Sequence, residues 1–163
     1  MKKLILSLVF TVLACTLVEA QEISKNALGI RFGGNNGVGA EVSYQRGLTE
    51  NNRLEFDLGW RNDDNFDAFK LTGLYQWVWN LDGGFNWFAG AGGGIGSVNY
   101  GNDFDRNNND DSEFFAYGAG DIGIEYNFNF PLLIALDFRP EIGFNDFNDD
   151  LDFDIAFSVR YQF

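Results

Sequence analysis

Along residues 151–163 apolar and polar side chains alternate almost without a fault. Phe153, Ile155, Phe157, Val159, Tyr161 and Phe163 fall on one face, and Asp152, Asp154, Ala156, Ser158, Arg160 and Gln162 on the other. A two-residue period belongs to a β-strand with one apolar and one polar side. Seven earlier segments share the rhythm, at residues 27–34, 38–47, 53–60, 68–79, 85–98, 114–128 and in the stretch after Pro131 that ends at Phe144. In each, Leu, Ile, Val, Phe, Tyr and Trp alternate with small, polar or charged residues, although Phe88 interrupts the polar face of the fifth. Asn35-Asn36-Gly37 and Asp82-Gly83-Gly84 are hairpin-turn sequences, with glycine where a left-handed residue is wanted.

These segments predict an all-β chain, an eight-stranded antiparallel up-and-down transmembrane β-barrel. Which face points inward decides between a soluble, lipocalin-like barrel and a membrane one. Eight strands enclose a space only just wide enough for side chains. The large apolar residues are too many for it, whereas the opposite faces mix small and charged residues that suit a narrow polar interior. Aromatics also gather at the strand ends, with Trp77, Trp79, Phe85, Trp87, Tyr126, Tyr161 and Phe163 at one rim and Trp60, Phe69, Phe114, Phe144 and Phe153 at the other. Two such belts match the two lipid–water interfaces. The connections agree: residues 48–52, 80–84 and 129–131 are short, nearly uncharged turns expected in the periplasm, and residues 61–67, 99–113 and 145–150 are acidic loops expected outside.

The first twenty residues have a different pattern. Lys2 and Lys3 precede an apolar run from Leu4 to Leu17, and Val18-Glu19-Ala20 follows. This is the pattern of a secretory signal peptide cleaved between Ala20 and Gln21, leaving residues 21–163 as the barrel domain. The run is shorter than the roughly 20 residues of a spanning helix. Val12-Leu13-Ala14-Cys15 imitates a lipidation site, with bulky Leu13 where a small residue is usual. Removing residues 1–20 leaves nine basic and 23 acidic residues, a net charge of −14, which excludes nucleic acid as a partner. Cys15 is the only cysteine and histidine is absent, so the domain from Gln21 lacks a thiol and the commonest general base and metal ligand.

With strand rhythm, a Tyr161-Gln162-Phe163 end and segments such as Gly118-Ala119-Gly120-Asp121-Ile122-Gly123-Ile124-Glu125-Tyr126 in view, the chain resembles the small outer-membrane β-barrel domain proteins of the OmpA/OmpX type. The resemblance covers residues 22–163. It implies a Gram-negative cell-envelope protein, exported and folded into the bacterial outer membrane by the barrel assembly machinery, surrounded by lipids including lipopolysaccharide, and monomeric. Tyr161 and Phe163 would then be the assembly signal. A peptidoglycan-binding domain after the barrel is not expected, so that property of OmpA is not carried over.

The polar face carries Arg31, Arg53, Lys70, Arg139 and Arg160 with Glu41, Glu55, Asp57, Asp121, Glu125, Asp137, Glu141, Asp152 and Asp154. A hairpin centred on Asn36 sets Arg31 opposite Glu41. Charges withdrawn from water need partners, so these residues are expected to form an ion-paired network filling the lumen. The alternative is a porin-like narrow ion path, or a small-ligand cavity beside the glycines Gly90, Gly92, Gly94 and Gly96. Asp103, Asp105, Asp110, Asp111 and Glu113 begin like a calcium loop, but Asn108 replaces its glycine and Phe114 its bidentate glutamate. A solvated acidic loop is the plainer reading, so no metal or cofactor is assigned. Barrel lipases and proteases of this architecture depend on a histidine that this chain lacks, so no catalysis is expected.

Overall fold

The computed structural model describes residues 23–33, 39–63, 66–100, 112–144 and 151–163. The expected signal peptide with Cys15, Ala20 and Gln21, the Asn35–Gly37 turn, and the loop residues 101–111 and 145–150 lie outside the described residues. Eight strands follow in order: β1 Asn26–Phe32, β2 Glu41–Gly47, β3 Asn52–Asp63, β4 Phe66–Asp82, β5 Phe85–Tyr100, β6 Ser112–Asn127, β7 Leu132–Gly143 and β8 Leu151–Gln162. Each pairs antiparallel with its neighbours in sequence, and β8 closes on β1. At the seam Leu28 faces Tyr161 and Phe32 faces Phe157. Asn26 and Phe163 complete it by exchanging backbone hydrogen bonds of 3.1 and 2.9 Å.

Stepping across paired residues from Asn86 through Glu125, Ala135, Ser158, Arg31, Glu41, Gly59 and Lys70 returns to β5 at Gly96, ten residues further along. With spacings of about 3.3 Å along a strand and 4.8 Å between strands, that stagger tilts the strands roughly 40° from the barrel axis. A twelve-residue strand such as β7 then rises about 30 Å, the thickness of a bilayer's hydrocarbon core.

The two faces divide as the alternation requires. Leu28, Ile30, Phe56, Ile122, Leu136, Ile155 and Phe157 are exposed on the outside, while Arg31, Arg53, Arg139 and Arg160 are at most 1% exposed within. Such a surface, apolar outside and charged inside, belongs in lipid rather than water. Its aromatic ends pack: Trp79 stacks on Trp87 at 4.3 Å, Phe85 meets Tyr126 edge-on at 4.6 Å, and Phe138 stacks on Phe153 at 5.5 Å.

The end carrying Asn26 and Phe163, here the terminal rim, has tight turns. Thr49 Oγ1 accepts the amides of Asn51 and Asn52. Gly83 adopts φ 56°, a left-handed conformation that glycine takes without steric cost, in the turn from Asp82 to Phe85. At the opposite, loop rim the structure corrects the expected loops. Residues 61–63, 66 and 67 belong to β3 and β4, which pair as far as Asp63 and Phe66. Likewise 99, 100, 112 and 113 belong to β5 and β6. Water replaces lipid at that height, so the apolar–polar alternation lapses while the backbone ladder continues.

Pro140 marks no bulge: the β6–β7 register is the same before and after it, from Ala119 opposite Glu141 to Ile122 opposite Phe138. Pairing is simply interrupted beside Gly120, where proline offers no amide hydrogen. Toward β8 the ladder is continuous, with Pro140 facing Phe153.

Candidate functional site

The lumen is where the chain concentrates its chemistry. Inward positions come from the same parity on every strand, so each cation reaches residues far away in sequence. Nearest the loop rim, Arg31 on β1 bonds Glu41 on β2 at 3.0 Å, Asp154 on β8 at 2.6 Å and Asp137 on β7 at 2.5 Å. Lys70 on β4 reaches Glu141 on β7 at 2.7 Å, and its ammonium lies 4.9 Å from the Tyr117 ring centre.

At mid-height two arginines cross the barrel. Arg139 on β7 meets Asp57 at 2.7 Å and Glu55 at 3.1 Å on β3, with Glu41 at 3.8 Å. Arg160 on β8 reaches Glu55 at 3.1 Å, and its Nε donates to Ser43 at 2.9 Å. Toward the terminal rim Arg53 lies 5.0 Å from the Phe88 ring centre, donates to Gln76 at 2.6 Å and pairs with Glu125 at 2.8 Å. A buried charge without partners costs several kcal/mol. Sharing each guanidinium among two or more acceptors is how so much charge fits so small a space.

All fourteen residues of the expected network face inward, but they are not equivalent. Asp121 has no cation within ion-pairing distance among the described residues, and accepts Gln76 Nε2 at 2.5 Å instead. Asp152 sits half-buried near the loop rim, its Oδ1 accepting the Phe153 amide at 2.8 Å. Five cations against eight buried carboxylates leave the interior net acidic. Neutral amides and hydroxyls make up part of the difference: Gln45 donates to Glu55 at 2.6 Å and Asn86 to Glu125 at 3.1 Å.

Sequence reasoning missed the inward aromatics Phe115 and Tyr117. Both share the odd parity of Asp121 and Glu125, which is the signal that could have found them. The Tyr117 hydroxyl meets Thr72 Oγ1 at 2.5 Å, and its ring packs with Leu74, Ala119 and Phe115. These rings also correct the idea of a ligand cavity beside β5. A methyl group at Gly94 would collide with the Tyr117 ring, and one at Gly96 with the Phe115 ring. Gly94 and Gly96 make room for side chains from β6, while Gly90 lies against Gln76 and Gly92 against the β4 backbone.

At the terminal mouth Ile23 packs on Val78, Phe88 and Ala135, beside a small polar recess bordered by Gln45, Asn86, Asn127 and Gln162. Among the described residues no group of three or more Asp, Glu, His or Cys is arranged to hold a metal ion. Of the acidic candidates, Glu113 is half-buried on β6, and Asp103, Asp105, Asp110 and Asp111 lie outside the described residues.

No family model matches the chain, and no curated protein matches it. Solved structures do. The N-terminal β-barrel domain of Pseudomonas aeruginosa OprF superposes with a TM-score of 0.64 at 14% identity, over 86% of this chain and 98% of that one. The fold is that of the small eight-stranded outer-membrane barrels. Ail, the attachment invasion locus protein of Yersinia pestis, gives a TM-score of 0.59 at 13% identity, over 86% of this chain and 97% of that one. Neisserial surface protein A gives 0.57 at 10% identity, over 85% and 94%. The lipid-suited exterior agrees with these neighbours on the fold of a membrane-spanning barrel.

Proposed function

We propose that the protein is a structural, surface-exposed barrel of the outer membrane whose lumen is a closed, ion-paired plug, and that it is not an enzyme. Residues 1–20 serve as its export signal and are removed after Ala20. The terminal rim faces the periplasm, and the loop rim presents an acidic surface to the outside. Tyr161 and Phe163 act as the signal read by the barrel assembly machinery, the finished barrel is a monomer, and its lasting partners are membrane lipids, including lipopolysaccharide.

One observation carries the reading: four arginines, spread through the lumen from the loop rim to the terminal rim, are each at most 1% exposed. Arg139 and Arg160 leave almost no surface that water can reach. An ion moving through would have to break several charge-assisted bonds at once. Purified protein in planar bilayers is therefore expected to show no steady single-channel current. A steady, ion-selective conductance would overturn the plug and favour a narrow channel.

A further inference from the structure

Among the described side chains, the outer, lipid-facing side of the strands carries a single cation, Arg46 on β2. It lies at the terminal rim, at the height where Tyr44, Trp77, Tyr126 and Tyr161 turn outward. In a chain of net charge −13, an isolated guanidinium on the membrane face needs a reason. No carboxylate among the described residues is within ion-pairing distance of it. Its Nη1 donates 2.7 Å to Asn26 Oδ1, which also accepts the Tyr44 hydroxyl at 2.9 Å. Asn26 Nδ2 in turn donates 3.3 Å to the Phe163 carbonyl. One asparagine thus ties the cation to the seam where β1, β2 and β8 meet, and most of its five donors remain unspent.

We propose that Arg46 is a headgroup site that holds the phosphate of a membrane phospholipid at the terminal rim. A guanidinium matches two phosphate oxygens with parallel N–H bonds. The aromatic ring around this rim sets the depth at which lipid phosphates begin. An arginine's aliphatic stem can cover apolar surface while its charged end reaches that depth. Asn26 fixes the direction of approach, so the site is positioned before any lipid arrives. The proposal rests on the membrane reading above and adds a place and a ligand to it.

The test is lipid retention measured by native mass spectrometry on the folded chain released from vesicles, with phosphatidylglycerol as the probe and a phosphate-free galactolipid as control. Wild-type protein should keep phosphatidylglycerol, and Arg46→Gln should retain about fivefold less, the factor for one basic residue at an anionic surface. Arg46→Lys should fall between them, since it keeps the charge and loses the fork. Galactolipid retention should not change. Equal phosphatidylglycerol retention by wild type and both variants would overturn the site. So would millimolar inorganic phosphate competing fully with the lipid, because the partner would then be a free anion. Failure of the wild type to insert into vesicles at all would instead overturn the membrane reading, a result that neither variant could mimic.

Discussion

Replacing Arg139 with methionine removes one charge from the centre of the lumen and keeps most of the volume. Arg139 is fully buried and lies 2.7 Å from Asp57, 3.1 Å from Glu55 and 3.8 Å from Glu41. The three carboxylates do not suffer alike. Glu41 keeps Arg31 at 3.0 Å and Glu55 keeps Arg160 at 3.1 Å, whereas Arg139 is the cation that Asp57 depends on. At 2.7 Å and an effective dielectric of about 20, the attraction lost is on the order of 6 kcal/mol before desolvation is counted. Breaking one side of a buried pair typically costs about 3–5 kcal/mol. Reversible urea unfolding in lipid vesicles, followed by tryptophan fluorescence, should show a loss of that size for Arg139→Met. Adding Asp57→Asn removes the stranded charge and should restore at least half of it. A single-variant loss below about 1 kcal/mol would refute the reasoning, since only a wet lumen could absorb the orphaned carboxylate so cheaply.

Tyr117→Ala should cost about 3–5 kcal/mol in the same unfolding assay, because the ring fills the space left by Gly94 and Leu74 holds it from the side. The void also opens the lumen beside Lys70, so planar-bilayer recordings of this variant should show current bursts absent from the wild type. Deleting Phe163 removes two backbone hydrogen bonds to Asn26, worth about 2 kcal/mol together. Detergent refolding should therefore survive while folded yield in the outer membrane falls sharply, and equal loss in both assays would argue against an assembly role. Intact mass of protein extracted from membranes should start at Gln21, and a diacylglycerol adduct on Cys15 would show lipidation instead.

Strand positions and facing were legible in the sequence because the bilayer imposes a strict alternation wherever lipid meets one face. The Arg31–Glu41 juxtaposition was legible too, since a hairpin's symmetry fixes which residues oppose each other. Partners across the lumen were not. Whether Arg139 meets Asp57 or Arg53 meets Glu125 depends on the ten-residue stagger accumulated around the whole barrel, and no local pattern encodes it. Phe115 escaped notice because Phe114 precedes it, and two adjacent aromatics blur the two-residue period. The strand ends at Asp63 and Phe66 escaped for the opposite reason: residues 61–67 carry no apolar–polar alternation, so pairing continues with no periodicity to announce it.

The Asn26–Phe163 contact joins residues 137 apart in sequence. Closing a flexible loop of that length costs about 4 kcal/mol in chain entropy, beyond a constant term, and nothing offsets it until both rims of the sheet are in place. Before then β1 and β8 are two bare edges, each able to pair with the wrong strand or with another chain. Closing β8 on β1 removes both edges at once, and with them the danger of edge-to-edge aggregation. A chain stalled short of β8 has no partly closed refuge in the bilayer, so its fate is decided by how long its edges can be kept from other strands.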